Sequence, residues 1–314
     1  MHVPGIGPGN WRRRSDSDDP DRLPAKRIAS VLVDIAVFGS LNYDITLWLP
    51  HAPAPDETLL ATRMEEFRGG KGANQATAAA RLGAGVSMIG CVGDDAHGRI
   101  LVDGLEVNGI DHTHVHHVAE PTGTAFPMIT PDNVSIVIVR GANGVTGRGH
   151  ADAAADVITA ADALLLQGEV GGAGAGRAAE IAAGAGTTVV FNPAPVDDEV
   201  VAAVLPYADV VILNEQEADV VAVPAGIDSV ITLGAEGARV GDVHVAAFPT
   251  VVVDPTGAGD SFCAALTVAL AEGRSLVAAT RFGNAAGALA CRVAGAEPSM
   301  PTRAAVDALV ESEA

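Results

Sequence analysis

Val253-Asp254-Pro255-Thr256-Gly257-Ala258-Gly259-Asp260-Ser261-Phe262 reads as a strand end, a tight turn and the opening of a helix. The β-branched residues Val251 to Val253 precede the turn, and an apolar segment from Phe262 to Leu270 follows it. The first amides of a helix lack intrahelical partners and carry the positive end of its dipole. Gly257 and Gly259 place no Cβ over those amides, so an anion can approach them. Asp260 has two readings. A carboxylate repels an anion, so beside an anion site it makes sense as a base that takes a proton from a hydroxyl attacking a phosphoryl group. Structurally, it is the N-cap of a surface helix.

A second run favours the chemical reading. Phe67-Arg68-Gly69-Gly70-Lys71-Gly72-Ala73-Asn74-Gln75-Ala76 leads into an Ala-rich helix, Thr77 to Leu82. It is not a P-loop, because no Ser or Thr follows the lysine at the required place. Its glycines let a backbone pass close to a ligand, and Lys71 and Asn74 offer donors suited to sugar hydroxyls. The only other lysine is Lys26; arginine supplies the remaining basic charge.

These runs belong to an ordered series that resembles the ribokinase-like carbohydrate kinases. Gly39-Ser40-Leu41-Asn42-Tyr43-Asp44 comes first, then Gly90-Cys91-Val92-Gly93-Asp94-Asp95 and Gly141-Ala142-Asn143. Gln167-Gly168-Glu169, Asn192-Pro193-Ala194-Pro195, Asn214-Glu215-Gln216-Glu217-Ala218 and Thr232-Leu233-Gly234-Ala235-Glu236-Gly237 follow. The resemblance runs from about Val33 to the C-terminus, and an ordered series is far more specific than one motif.

The resemblance implies ATP-dependent phosphorylation of a sugar, with D-ribose giving D-ribose 5-phosphate as the first reading. Another furanose or a nucleoside, as in fructokinase-like or adenosine kinase-like enzymes, is the alternative. Asp260 would be the base, and the amides of Gly257, Ala258 and Gly259 would hold the charge on the transferring group. Asn42, Asp44, Gly70, Lys71, Asn74 and Glu169, with Asp260, would bind the sugar. Asn214 and Glu217 would organise Mg²⁺ and its waters near ATP, although an N-cap and a first-turn acid explain the same pair. Thr232, Gly234, Ala235, Glu236, Gly237, Gly259 and Asn284 would line the nucleotide. A K⁺ loop would map to Asp254, Thr256, Ala290, Val293, Gly295 and Ser299, mostly through backbone carbonyls, so the apolar Val293 does not exclude it. A catalytically silent binding protein is the different-class alternative, opposed by the intact Asp260 and glycine turn. A dehydrogenase lacks its dinucleotide fingerprint.

Composition sets outer bounds. The chain has 314 residues, enough for one large α/β domain with a small appendage. Aromatics are only 4% against 48% hydrophobic residues, so Val, Ala, Leu and Ile must build the core. A net charge of −20 argues against nucleic-acid or anionic-membrane partners, which need a basic face. Any phosphate site must then rest on local amides and a metal ion. Cys91, Cys263 and Cys291 lack metal-like spacing and read as reduced thiols of a cytoplasmic protein. Residues 1–32, rich in Pro, Gly and charge up to Ala29, read as a disordered extension or the product of a mis-assigned start codon. They lack the apolar core of a secretory signal.

Apolar runs at Ile35–Phe38, Val86–Ile89, Ala163–Leu166, Thr188–Phe191, Val210–Leu213 and Val230–Leu233 alternate with helical patterns. That alternation predicts an α/β fold, a doubly wound and mostly parallel sheet flanked by helices. Between Asn214 and Thr232 only a short helix fits, and two helices are expected over 275–292 and 303–310. Thr46–Leu49 with Thr58–Phe67, and Thr122–Thr130 with Ser135–Arg140, read as hairpins. By resemblance these segments, about 45–68 and 121–141, form a small β lid over the sugar and the contact of a homodimer. His112, His114 and His116 would share one strand face, which suits a metal, but no carboxylate cage accompanies them. Gly171 to Gly176 fails the dinucleotide spacing and reads as a flexible loop.

Overall fold

The computed structural model describes residues 33–312, so the expected extension over 1–32 lies outside the described residues. In chain order the strands are β1 (Asp34–Phe38), β2 (Asn42–Trp48), β3 (Arg63–Gly69), β4 (Gly85–Gly93), β5 (Asp111–Val118), β6 (Gly123–Ile129) and β7 (Val134–Val139). They continue with β8 (Ala163–Gln167), β9 (Thr188–Asn192), β10 (Val210–Asn214), β11 (Asp228–Thr232), β12 (Ala238–Val240) and β13 (Val243–Val245). The helices are α1 (Lys71–Arg81), α2 (Ala96–Val107), α3 (Arg148–Ala153), α4 (Ala155–Ala160), α5 (Gly172–Ala185) and α6 (Asp198–Val204). After them come α7 (Glu215–Ala218), α8 (Ala258–Ala271), α9 (Leu276–Ala290), α10 (Ala296–Ser299) and α11 (Arg303–Ser312).

A nine-stranded sheet has the order β13-β12-β11-β10-β9-β8-β1-β4-β5. Pairing is parallel from β11 to β5, and β12 and β13 add antiparallel at one edge. Strand periodicity divides the apolar runs between two cores. Val37 and Leu165 face a layer that includes α1, α8 and α9, whereas Phe38, Leu164 and Leu166 face α5 and its neighbours. With both faces covered, every residue of β8 is buried, which is why such strands read as unbroken apolar runs. The second sheet, ordered β3-β2-β6-β7, joins the two expected hairpins through a parallel β2–β6 pairing.

Two local expectations are corrected. Residues 171–176 are not a flexible loop: α5 begins at Gly172. A Cβ at Gly174 would lie 2.4 Å from the Thr146 carbonyl, and one at Gly176 would lie 2.8 Å from the Ala203 methyl. The glycines let this helix seat against its neighbours. Val251 to Val253 form no strand and stay largely exposed. The amides of Val253 and Asp254 bond the carbonyl of Cys291, just past the end of α9, in place of a strand partner. The short connection after Asn214 is as expected, with α7 only four residues long.

Candidate active site

The quoted motifs gather where β1, β8, β9 and β10 end and α1 and α8 begin, the edge of an open α/β sheet at which ligands bind. The Glu169 carboxylate, just beyond β8, accepts from the Ser40 hydroxyl, from the Lys71 backbone amide (3.0 Å) and from Asn42 Nδ2 (3.4 Å). Asn143 braces this group by donating to Asn42 Oδ1 (2.7 Å) and the Leu41 carbonyl (3.1 Å), while its own oxygen accepts from the Leu41 amide (2.9 Å). Gly70 has φ of 90°, and a Cβ there would sit 2.6 Å from the Asn42 amide, so only glycine lets the two chains approach. Asp44 Oδ1 is buried and has no hydrogen-bond partner among the described residues. Burial, together with the charges of Glu169 and Asp260, pushes the Asp44 carboxyl up to about 7. A buried acceptor without a donor is an exception in folded proteins. Here it suits a ligand that brings hydroxyl donors.

Asp260 is not a surface N-cap. Gly257, with φ of 80°, caps α8, and Asp260 lies inside the first turn, 6% exposed. Its Oδ2 accepts from Asn74 Nδ2 (2.9 Å) and its Oδ1 from Gln75 Nε2 (3.0 Å). Beside it, burial works against the Lys71 ammonium, but the carboxylates of Asp260, Glu169 and Glu217 outweigh burial and raise its pKa. Lys71 is therefore a retained positive charge among three acids. Of the three turn amides, that of Ala258 is engaged within the turn, donating to the Pro255 carbonyl (3.1 Å).

Asn214 and Glu217 cap α7 reciprocally. Asn214 Oδ1 accepts from the Glu217 amide (2.8 Å) and Glu217 Oε2 from the Asn214 amide (2.9 Å). Burial raises the Glu217 carboxyl, against the pull of its amide bond and of Lys71. Further along the same edge, Thr232 donates to the Leu213 carbonyl (3.2 Å), and Gly234, Ala235 and Glu236 form a 3₁₀ turn closed by Gly237. A Cβ at Gly237 would strike the Val245 carbonyl at 2.2 Å. Asn284 donates to that carbonyl (2.9 Å) and to the Ala246 carbonyl (3.1 Å). Asn284 thus joins α9 to the strand end beside the Gly234–Gly237 turn.

The segments around Asp254 and Ser299 also meet. Asp254 accepts from the amides of Thr256 (2.9 Å) and Gly295 (2.9 Å); these bonds outweigh burial and hold its carboxyl below the usual range. The Ser299 hydroxyl lies 2.7 Å from the Ala296 carbonyl and 3.5 Å from that of Thr256. The Val293 amide turns back to the Ala290 carbonyl (3.2 Å), and the Val293 side chain points to solvent.

Sequence reasoning passed over Ser40, Gln75, Asn143, Gln167 and Asn192, all buried and hydrogen-bonded within this region. Each lies inside a stretch quoted above, and a polar residue in an otherwise apolar or glycine-rich stretch was the available signal. Glu297, outside every one of these stretches, carried no such signal. On β5, His114 faces Asp156 at 3.9 Å, and the His116 ring lies 5.0 Å from that of His150, tilted against it.

Residues 33–303 match the family model described as pfkB family carbohydrate kinase. A ribokinase of Haemophilus influenzae is 38% identical over 296 residues, 86% of this chain and 95% of that protein. A ribokinase of Bacillus subtilis is 35% identical over 291 residues, 88% of this chain and 99% of that protein. The solved structure of Arabidopsis thaliana ribokinase complexed with ribose and ATP superposes with a TM-score of 0.79 at 31% identity, covering 90% of this chain and 99% of that one.

Proposed function

The chain belongs to the pfkB family of carbohydrate kinases, and within that family we propose that it transfers the γ-phosphoryl group of ATP to the 5-hydroxyl of D-ribose. The observation that carries this reading is the meeting of Asp260, at the N-terminal turn of α8, with the buried acceptors Asp44 and Glu169. Asn42, Asp44, Gly70, Lys71, Asn74 and Glu169 hold the sugar. Asp44 Oδ1 takes a hydroxyl hydrogen bond that nothing among the described residues supplies.

Asp260 takes the proton of the 5-hydroxyl as its oxygen bonds to the γ-phosphorus and the bond to the bridging oxygen of ADP breaks. The amides of Gly257 and Gly259 face the growing charge on the transferring group, joined by Ala258 when its bond to Pro255 opens. Lys71 keeps its charge beside the sugar acids and offsets their mutual repulsion. Thr232, the Gly234–Gly237 turn and Asn284 line the nucleotide.

Asn214 and Glu217 present oxygen donors suited to Mg²⁺ and its waters, and the ion would neutralise phosphate charge. Asp254, Thr256 and Ser299 form an oxygen-rich set suited to K⁺, and by the family resemblance backbone carbonyls of Ala290, Val293 and Gly295 would complete it, that of Ala290 once freed from the Val293 amide. A bound K⁺ would add positive charge next to the anion-holding turn.

For assembly, the reading is a homodimer through the lid. Strand β7 is the sheet edge, and Val134, Ile136, Val137, Ile138 and Val139 are all exposed, a pairing surface for a second copy. Sedimentation of Ile136→Glu as a monomer, beside a dimeric parent, tests it. Among the described residues no helix is long and apolar enough to cross a membrane; a cytoplasmic enzyme working on soluble metabolites is the place this reading gives it.

The deciding experiment is a coupled assay of ADP release over D-ribose, 2-deoxy-D-ribose, D-fructose, adenosine and inosine. The expected result is the highest kcat/KM for D-ribose. A nucleoside or hexose preferred by tenfold would replace the substrate assignment and leave the phosphotransfer chemistry standing.

A further inference from the structure

Asp260 is held by two neighbouring residues of α1 in different ways. Asn74 donates to Oδ2 (2.9 Å) and is 7% exposed; Gln75 donates to Oδ1 (3.0 Å) and is wholly buried. Behind Gln75 the network continues inward. Gln75 Oε1 accepts from Gln167 Nε2 (2.7 Å), at the end of β8, and Gln167 is also wholly buried. Gln75 Nε2 additionally lies 3.4 Å from Asn192 Oδ1, and the Asn192 amide is fixed by donating to the Ile212 carbonyl (3.0 Å).

The direction of this relay follows from Asp260. An ionised carboxylate only accepts hydrogen bonds, so Gln75 must present its NH₂ to it. Its carbonyl then faces Gln167, which must answer with its own NH₂. The carbonyl of Gln167 is left over: Oε1 is buried without a hydrogen-bond partner among the described residues, beside Gly39, where a Cβ would lie only 2.0 Å from it. A stranded acceptor costs stability. Its presence here is accounted for by the need to keep the donor end of the relay on Asp260.

We infer that Gln75 is a positioning residue that anchors Asp260 Oδ1, leaving Oδ2 as the atom that takes the proton from the sugar hydroxyl. The inference rests on the reading of Asp260 as the base. The Oδ2 partner, Asn74, is itself assigned to the sugar, so sugar binding can draw it from the carboxylate. Gln75 has no such freedom, because its far end is held by Gln167 and its flank by Asn192. With Oδ1 fixed, Oδ2 stays aimed as Asn74 turns to the sugar. Gln75 touches neither sugar nor phosphate in this role. Its removal acts on the chemical step through the orientation of Asp260.

The test compares Gln75→Met, Gln167→Met and Asp260→Asn in the full chain, each measured for kcat with saturating ribose and ATP, for ribose dissociation constant by calorimetry, and for Tm. Met matches Gln in length and has no amide donor. Gln75→Met should lower kcat by about 10- to 100-fold, the scale of a misplaced catalytic group, with the ribose dissociation constant changed less than about threefold. Gln167→Met, which touches no atom of Asp260, should lower kcat in the same sense by a smaller factor. It keeps the inference open to refutation if Gln75→Met does not fold. A folded Gln75→Met with kcat within about threefold of the parent overturns the inference, as do equal losses of kcat and ribose affinity, or an unchanged kcat in Gln167→Met. If Asp260→Asn itself retains activity, the base assignment fails, a result distinct from any of these.

Discussion

Arg68, the penultimate residue of strand β3 in the small sheet, is ion-paired with Glu297 of α10, Nη2 meeting Oε1 at 3.0 Å and Nε bonding Oε2. The two are 229 residues apart in sequence. Glu297 also receives Arg81 Nη2 (3.5 Å) and Asn108 Nδ2 (3.2 Å), so one carboxylate ties β3, α1 and the end of α2 together. It sits between Gly295 and Ser299 of the expected K⁺ loop. A Cβ at Gly295 would press on the Phe67 ring of the same strand at 3.0 Å. The end of β3 and the Gly295–Ser299 segment are thus one packed unit.

Glu297→Ala should therefore destabilise the whole domain. The pair is only partly buried on the Arg68 side, 37% against 11% for Glu297, which reduces its worth below that of a deep pair. Stranding Arg68, Arg81 and Asn108 together still costs about 2–4 kcal/mol. Urea unfolding reads the loss; a change below about 0.5 kcal/mol would show that the cluster is solvated and idle.

Asp260→Asn should abolish turnover and leave ribose affinity nearly intact. The amide keeps the shape of the side chain, but it has no basic carboxylate oxygen with which to take the proton. A general base contributes about 10² to 10⁴-fold. Retention of more than about a tenth of the parent kcat would remove Asp260 from that role.

Ribose binding should strengthen with pH near neutrality. The Asp44 carboxyl lies at about 7, raised by burial and by Glu169 and Asp260. In the unbound folded chain it holds its proton more tightly than in the unfolded chain, so its contribution to stability is full at low pH and is lost as pH rises from the ordinary carboxylate range through about 7. Sugar hydroxyls that donate to Asp44 favour the ionised form. Binding then releases a proton, and the dissociation constant should fall between about pH 6 and pH 8, approaching tenfold per unit below the Asp44 pKa. Calorimetry in buffers of different ionisation enthalpy counts the proton. An identical pH dependence in Asp44→Asn would trace the effect to another group.

Potassium should raise kcat more than ribose affinity, and sodium should do so much less. The motive is the convergence of Asp254, Thr256, Gly295 and Ser299 directly behind the Gly257–Gly259 turn. Asp254→Ala should erase the response while Asp260 remains. Equal turnover in potassium and in tetramethylammonium at matched ionic strength would exclude an activating site there.

Much of this architecture is written locally. The unbroken apolar runs of β8 and β10 report strands buried on both faces, and the shortness of the 214–232 connection leaves room for α7 alone. The glycines and acids of the 253–262 run and the ordered motifs likewise bring Asn42, Asp44, Asn74, Glu169 and Asp260 to one sheet edge, because strand ends and helix starts alternate along the chain. These signals depend on neighbours a few residues away, and periodicity records them.

What depended on distant partners was decided only in three dimensions. Val251 to Val253 have the composition of a strand, but a strand needs a ladder, and the amides of Val253 and Asp254 share one carbonyl beyond α9 instead. The glycines of 171–176 look like a loop until Thr146 and Ala203 are seen pressing on them; close packing demands the small residue there, and helix geometry tolerates it. Of the two readings of Asp260, the surface cap is excluded only in three dimensions, where Asn74 and Gln75 arrive from α1 and the carboxylate is buried. Asp44 owes its raised pKa to Glu169 and Asp260, far away in sequence, and to exclusion from water. Burial and electrostatic coupling are properties of the assembled neighbourhood, and a local pattern does not encode them.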